Sequence, residues 1–312
     1  MSTAAPSHGR EPSVGLYGKI PTERDFVRIN AGDFQHAGLD LWFQQGVETL
    51  HGEGTRLPEE PTHFFLVAPT GAAFVGVCAP GEDAVGRNFP LIISMPLEVR
   101  NLIETLPLIP SLFAPFFEAA TVVAEAARGL SAQDLATQVD WLKQTLDQGA
   151  PVLPLDSLLA ASSFFELRVA IGGLGEGGGY AMHTVLAACD QAGGAKAQDS
   201  AKQTVTLECP TPTDGMRAFW LELIRRRLGA VPRTPSFMWN ATRMLVALGP
   251  APAQMLAYLA NPDHRGSRYW PLRTGNAAAS EKAAAALSPA QVQLLASGEG
   301  SLADVRAGFG AG

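Results

Sequence analysis

The architecture predicted for this chain follows from residues 63–79, HFFLVAPTGAAFVGVCA. Its two apolar runs, His63–Ala68 and Phe74–Ala79, are short and bounded by Gly or Pro, which is typical of strands covered on both faces. The loop around Gly71 is too short to hold a crossover helix, so the two strands must be antiparallel neighbours. A third run, Leu91–Met95, follows the loop around Gly81 and extends the sheet in the same way.

The rest of the chain supplies helices for both faces of this sheet. Strand character recurs in further segments: Val14–Ile20, Leu167–Ile171, Thr204–Cys209, Ser236–Asn240 and Arg243–Leu248. Apolar residues at helical spacing, or capping residues, predict helices over Leu39–Leu50, Glu98–Ala127, Ala132–Leu146, Leu155–Phe165, Tyr180–Ala192, Asp214–Leu228 and Pro252–Leu259. The predicted fold class is therefore α/β, a three-layer α/β/α sandwich around a mixed, largely antiparallel sheet.

Composition divides the chain into three parts. Residues 1–13 are small and polar, and we expect them to form a disordered lead. Residues 14–272 form the main domain, in which 172–200 is a Gly/Ala-rich insertion. Residues 273–312 are rich in Ala, Gly and Ser and carry several helix N-cap residues, so we expect an Ala/Gly-rich helical tail.

Charge and hydropathy exclude several classes of protein. The net charge is -7 and no broad Lys/Arg face is evident, so nucleic acid is a poor partner. There is no apolar core behind a basic start that would indicate a signal peptide. The longest apolar stretch, 102–117, is broken by Glu104 and three prolines, so no membrane span is predicted. We expect a cytoplasmic protein.

The cysteines and histidines give no signal for a metal site. The 3 cysteines, Cys78, Cys189 and Cys209, form no Cys-x-x-Cys pair and fit a reducing cytosol. None of the histidines has His-x-x-x-His spacing, and no Gly-x-Ser-x-Gly elbow is present. A Cys/His dyad using Cys78 or Cys189 stays open, because catalytic groups can meet in space. We expect no cofactor, no metal and no catalytic residue.

Two glycine motifs invite comparison with phosphate-binding loops. Gly15-x-x-Gly18-Lys19 has a gap of two residues where a P-loop needs four, and Pro21 removes an amide donor. The run Gly173–Gly178 matches G-x-G-x-x-G and follows the predicted strand Leu167–Ile171. It supports the alternative hypothesis of a nucleotide-binding enzyme, although no acidic residue stands at the expected distance. A glycine-rich loop insertion is the simpler interpretation.

Two loop segments carry Arg and Asp beside aromatic residues. One is Arg24-Asp25, and the other runs from Asp83 through Arg87 and Phe89 to Pro90. An arginine fork can bind a carboxylate or several carbonyl groups, and loop positions favour function over packing. A structural ion pair that pins the two loops is an equally good interpretation.

These segments resemble the two signatures of the TagF family. The first is a Gly-Lys-x-Pro turn followed by an Asp-Phe pair, here Gly18, Lys19, Pro21, Asp25 and Phe26. The second is an Asp, then Val-Gly-Arg, then an aromatic residue and Pro-Leu, found here at 83–91. A weaker likeness is PSFMW at 235–239. The resemblance extends over about 14–272, whereas 172–200 and the residues after 272 look additional.

The resemblance implies a non-enzymatic, cytoplasmic accessory protein of the bacterial type VI secretion system. TagF-like proteins are post-translational repressors of its assembly and are thought to act through the Fha (forkhead-associated) scaffold protein. The residues expected to bind the partner are those of the two signature loops: Lys19, Arg24, Asp25, Asp83, Arg87 and Phe89.

Overall fold

The computed structural model describes residues 13–97, 102–145, 152–172, 177–193, 203–229, 234–273 and 277–309. Within these ranges the strands are β1 Gly15–Gly18, β2 Val27–Ile29, β3 Thr62–Val67, β4 Ala73–Ala79, β5 Leu91–Leu97, β6 Thr206–Pro210, β7 Ser236–Trp239, β8 Arg243–Ala247 and β9 Tyr269–Pro271. The helices of the first half are α1 Gly32–His36, α2 Leu39–Gly52, α3 Leu102–Thr105, α4 Ile109–Leu112, α5 Ala114–Ala126 and α6 Ala132–Thr145. Those of the second half are α7 Leu155–Ala160, α8 Phe164–Ala170, α9 Gly177–Gly193, α10 Asp214–Leu228, α11 Met255–Ala260, α12 Ala277–Ala286, α13 Pro289–Ser297 and α14 Leu302–Phe309.

The strands form one sheet in the order β2-β1-β5-β4-β3-β7-β8-β6-β9. Every neighbouring pair is antiparallel except β6 and β9, which are parallel. The β3–β4 hairpin pairs Phe64 with Gly76 and Val67 with Ala73, as the short loop at Gly71 requires. The predicted mixed, largely antiparallel sheet is confirmed.

The two faces of the sheet bury separate apolar cores. Phe64 of β3 and Phe74 of β4 point to one core, together with Phe43 of α2 and Leu256 of α11. Phe65 points to the other, larger core, which α5, α9 and α10 cover. Alternation along a strand buried on both faces explains why these strands are continuously apolar in sequence. Helices on both faces make the predicted three-layer sandwich, which is confirmed.

Some predicted elements were wrong. The segment Leu167–Ile171 is not a strand, because it lies at the end of α8. The apolar residues Phe164, Leu167 and Ile171 recur at helical spacing and are all buried in the larger core, so the helical period prevails. The single helix predicted over Leu155–Phe165 is divided into α7 and α8.

Two regions set apart by composition contain helices that enter the larger core. In 172–200, helix α9 buries Ala181, Met182 and Val185. After 272, α12 packs on α9, and α14 packs on α10 and α7, with Leu302 and Val305 buried. Residues 1–12, 173–176, 194–202 and 310–312 lie outside the described residues. The division of the chain at 13, at 172–200 and at 272 stays a prediction.

The contact between α2 and α11 depends on a glycine. A Cβ built on Gly46 would lie 2.5 Å from Leu256 Cδ1 and 2.9 Å from the carbonyl oxygen of Ala253. Gly46→Ala should therefore lower the free energy of unfolding, although Ala has the higher helix propensity by ~1 kcal/mol. Gly52→Ala is the matched control in the same helix, since nothing lies within 4 Å of its added Cβ. Urea unfolding of both variants measures the difference, and equal effects would contradict the packing account.

Candidate interaction site

Asp83 is the centre of the site, and its carboxylate is fully buried. Its Oδ2 accepts from Lys19 Nζ at 2.9 Å and from Arg87 Nε at 2.7 Å. Its Oδ1 accepts from the backbone N–H groups of Val85 at 3.1 Å and Arg87 at 2.9 Å. The carboxylate is thus saturated by donors from both signature segments.

These donors determine the ionisation of Asp83. Burial raises the pKa of the carboxyl group, but hydrogen bonds from the Arg87 backbone, the Lys19 and Arg87 side chains and the Val85 backbone lower it. The lowering prevails, so the pKa lies well below the ordinary value of 3.8. Asp83 is therefore an anion at neutral pH, and the Lys19 ammonium is buried against it.

Two glycines let the signature backbones touch. A Cβ on Gly18 would lie 2.2 Å from the carbonyl oxygen of Pro90, and a Cβ on Gly81 would lie 2.6 Å from the carbonyl oxygens of Lys19 and Phe89. Only glycine permits such close approach. Close backbone packing therefore explains why Gly18 of the first signature lies against the Phe-Pro-Leu run of the second, which the sequence alone does not reveal.

An aromatic cluster supports the same loops. Phe89 is buried, and its ring contacts Phe26 edge to face, with centroids 4.8 Å apart. Tyr17 stacks on Phe26 at 5.2 Å. Lys19 Nζ lies 5.2 Å from the Phe26 centroid, and the guanidinium carbon of Arg28 lies 5.5 Å from it. The Asp-Phe pair of the first signature thus places its Phe under two cations.

The structure brings the six predicted residues together, in two groups. Lys19, Asp83 and Phe89 are buried and hold the loops. Arg24 and Asp25 are exposed, and the Arg87 side chain is 60% exposed although it contacts Asp83.

A main-chain contact fixes the exposed group. Arg87 donates from its terminal nitrogen to the Arg24 carbonyl at 2.6 Å, and the Ala84 N–H donates to the Glu23 carbonyl at 2.8 Å. Both interpretations of the signatures therefore have structural support: an inner ion pair pins the loops, and the pinned loops present Arg24, Asp25 and Arg87 on one surface. Whether this surface binds a partner stays a prediction.

A cleft of about 660 Å³ adjoins this surface. The signature segments form one wall, the end of α2 with the loop after it forms another, and the end of α5 forms a third. Its floor is made of buried apolar side chains: Ile20, Val47, Leu50, Phe89, Leu91 and Ala127. The sequence gives no sign of this cleft because its walls come from four separate segments.

A second buried polar network was also missed in sequence. Glu208 of β6 accepts from Arg243 Nη1 at 3.0 Å and from Arg273 Nη2 at 2.6 Å, and the Tyr269 hydroxyl donates to it. Burial, then the hydrogen bond to Glu208 and its negative charge, raise the pKa of Tyr269. Arg243 also donates to the carbonyl groups of Tyr258 and Leu259. The network fastens β9 and α11 to the sheet.

The alternative catalytic motifs gain no support from their surroundings. Helix α8 precedes the Gly173–Gly178 loop where a dinucleotide fold needs a strand, and Gly173–Glu176 lie outside the described residues. Burial raises the pKa of the Cys78 and Cys189 thiols to about 12, which disfavours the nucleophilic thiolate.

Within the described ranges, no group of three or more His, Cys, Asp or Glu side chains could hold a metal ion. No single helix in the same ranges is long and apolar enough to cross a membrane. One bent pair, Leu102–Leu112 with Ala114–Gly129, passes on length and composition alone and is bent by 53°.

Removing the charge of Asp83 should destabilise the protein. Asp83→Asn keeps the size of the side chain but leaves the buried Lys19 ammonium without its counter-ion, and an unpaired buried charge is costly. Asp25→Asn is the matched control, because Asp25 is exposed and its carboxylate accepts a hydrogen bond from the backbone N–H of Phe26, at 2.7 Å, and from no other group in the described part of the chain. Thermal unfolding of both variants should show a clear drop in Tm for Asp83→Asn and little change for Asp25→Asn.

The same carboxylate should make a contribution to the free energy of unfolding that is lost in acid. Its pKa is lowered on folding, so the ionised form stabilises the fold above the unfolded pKa, about 3.9, and this contribution declines as the pH falls towards the lower folded pKa. The stability difference between wild type and Asp83→Asn should be constant above about pH 5 and shrink below about pH 4. A difference that instead grew on acidification, measured by urea unfolding at each pH, would show that the pKa is not lowered.

Comparison with known proteins agrees with the location of these features. Residues 15–148 match the family model described as the TagF N-terminal domain, type VI secretion system-associated. No curated protein sequence matches the chain. Among solved structures, the crystal structure of PA0076 from Pseudomonas aeruginosa PAO1 matches with a TM-score of 0.48 and 18% identity, covering 81% of this chain and 96% of that one.

The matched residues include both signatures, strands β1–β5 and most of the walls of the cleft. The resemblance carried by Gly18–Phe26 and Asp83–Leu91 is confirmed. Residues 15–148 of this chain are therefore similar to the TagF N-terminal domain, which is associated with the type VI secretion system.

Proposed function

We propose that this chain is a non-catalytic, cytoplasmic accessory protein of the type VI secretion system that represses its assembly after translation by binding the Fha scaffold protein. The match of residues 15–148 to the TagF N-terminal domain supports the link to secretion. The binding role is supported by one observation: the two signature loops are pinned by buried Asp83, and together they hold Arg24, Asp25 and Arg87 at the surface.

This arrangement suits recognition of a protein. A pre-ordered surface loses little conformational entropy on binding, so its contacts contribute more of their energy to affinity. Arginine is enriched among the residues that dominate interfaces. Arg87 combines a fixed guanidinium, held by Asp83 and the Arg24 carbonyl, with a side chain that is 60% exposed.

Arg24 can be changed without disturbing the buried ion pair. Among the described residues, no carboxylate lies within 4 Å of the Arg24 guanidinium. Arg24 accepts the hydrogen bond from Arg87 with its backbone carbonyl and not with its side chain. A variant at Arg24 therefore tests the surface, whereas one at Arg87 tests the surface and the ion pair together.

Loss of the surface arginines should weaken scaffold binding. We expect Arg24→Glu to reduce the affinity of the purified protein for the Fha scaffold about tenfold, and Arg24→Ala with Arg87→Ala to reduce it further, as measured by biolayer interferometry. Lys282→Glu is the control, since Lys282 is exposed on α12, which packs on α9 and contributes no residue to the cleft. Thermal unfolding shows whether the double variant stays folded.

Two results would reject parts of this proposal. If the wild-type protein does not bind the scaffold, the proposed partner is wrong. If wild type and both variants bind with equal affinity, the scaffold is a partner but the signature loops are not its contact surface.

A further inference from the structure

We propose that the cleft beside the signature loops holds an extended segment of the partner protein, with an apolar side chain on the cleft floor and a carboxylate bound to Arg56. This inference rests on the function proposed above and specifies how that partner is held. It concerns the cleft bounded by the signature segments, the loop after α2 and the end of α5.

The floor of the cleft accounts for the apolar anchor. Ile20, Leu50 and Leu91 are almost completely buried, yet they line a cleft of about 660 Å³. The cleft has room for a large side chain together with part of its backbone. Apolar anchors seated in such pockets carry most of the binding energy at protein interfaces.

The shape of the cleft favours an extended occupant. A second cavity of about 320 Å³ shares the residues Glu59, Pro80, Ala124 and Arg128 with the first, so the two form one elongated depression. The Arg128–Glu59 ion pair, with an N–O distance of 3.1 Å, lies between them. Both side chains are largely exposed, and exposed pairs contribute little stability, so a bound chain can displace this pair.

The charged residues at the cleft indicate which residue of the partner segment lies next to the apolar anchor. Arg56 is exposed at the cleft, and no described carboxylate lies within 4 Å of its guanidinium. The other acidic residue of the cleft, Glu82, is exposed on a different wall, in the loop before β5. An acidic residue next to the apolar anchor can therefore pair with Arg56, and the exposed Glu82 favours a polar or basic residue elsewhere in the segment.

The cleft adjoins the surface formed by Arg24, Asp25 and Arg87. Lys19 and Phe89 line the cleft, and Arg24 and Arg87 of the same two loops belong to the exposed group. One partner segment can therefore contact both. This continuity gives the family signatures a second role, because the segments that pin the loops also form the wall of the cleft.

Filling the cleft tests the inference. Thr55 is a half-buried cleft residue outside the signatures, and Thr55→Trp would occupy the space above the floor. We expect this variant to lose affinity for the Fha scaffold by about tenfold or more. Thr137→Trp adds the same side chain at an exposed position on α6, away from the cleft, and should bind like wild type.

Charge reversal tests the carboxylate contact. Arg56→Glu should weaken scaffold binding severalfold at low salt, and the loss should diminish as salt screens the interaction. Lys282→Glu, which changes the charge by the same amount on α12, outside the cleft, should have no such effect. Thermal unfolding of every variant confirms that it is folded.

Each result separates the inference from the function on which it rests. Loss of binding in Thr55→Trp but not in Thr137→Trp supports the cleft. Wild-type affinity in Thr55→Trp overturns the cleft while the scaffold remains the partner. Failure of the wild-type protein to bind the scaffold overturns the proposed function and this inference together.

Discussion

The carboxylate of Asp83 is the interaction on which the arrangement of both signature loops depends. It receives four hydrogen bonds, two from side chains and two from the backbone of its own loop. A buried anion with fewer donors would be costly, so each donor is constrained in position. The Lys of the first signature and the Arg of the second are therefore linked by one charge, although 68 positions separate them.

The close contact of the two backbones follows from this constraint. A side chain at Gly18 or Gly81 would collide with the opposite backbone, and the rings of Phe26 and Phe89, one from each signature, are in contact. Most residues of the family signatures thus hold the two loops together. In the function proposed above, binding of the partner depends on the few side chains that the loops expose and on the cleft that they border.

Sequence patterns predicted the parts of the fold that are locally encoded. The runs at 63–68 and 74–79 specified an antiparallel hairpin because both were apolar and the loop was short. The prediction failed at Leu167–Ile171, because this apolar segment fits both the strand period and the helical period. Phe164, three residues before Leu167, extends the helical spacing, and the segment is helical. The strands β2 and β9 have 3 residues each and were too short to be detected.

The candidate site could be predicted only in part. The six signature residues were identified from their types and spacing, and the structure brings them together. Which of them are buried was not predictable, because Lys19 and Arg87 differ in exposure through the shape of the loops rather than through composition. The cleft and the Glu208 network depend on contacts between distant segments, such as the 65 positions between Glu208 and Arg273.

The position of β3 at the centre of the sheet limits where the chain can be cut into fragments. Strand β3 lies between β4 and β7, and Phe64 and Phe65 pair with Met238 and Phe237 of β7. The family domain at 15–148 ends long before β7, so a fragment cut at that boundary would keep β3 but leave one of its edges unpaired. An apolar strand with an open edge is a template for aggregation. During synthesis, too, this edge stays open until β7 is made, so we expect a fragment that lacks β7 to aggregate.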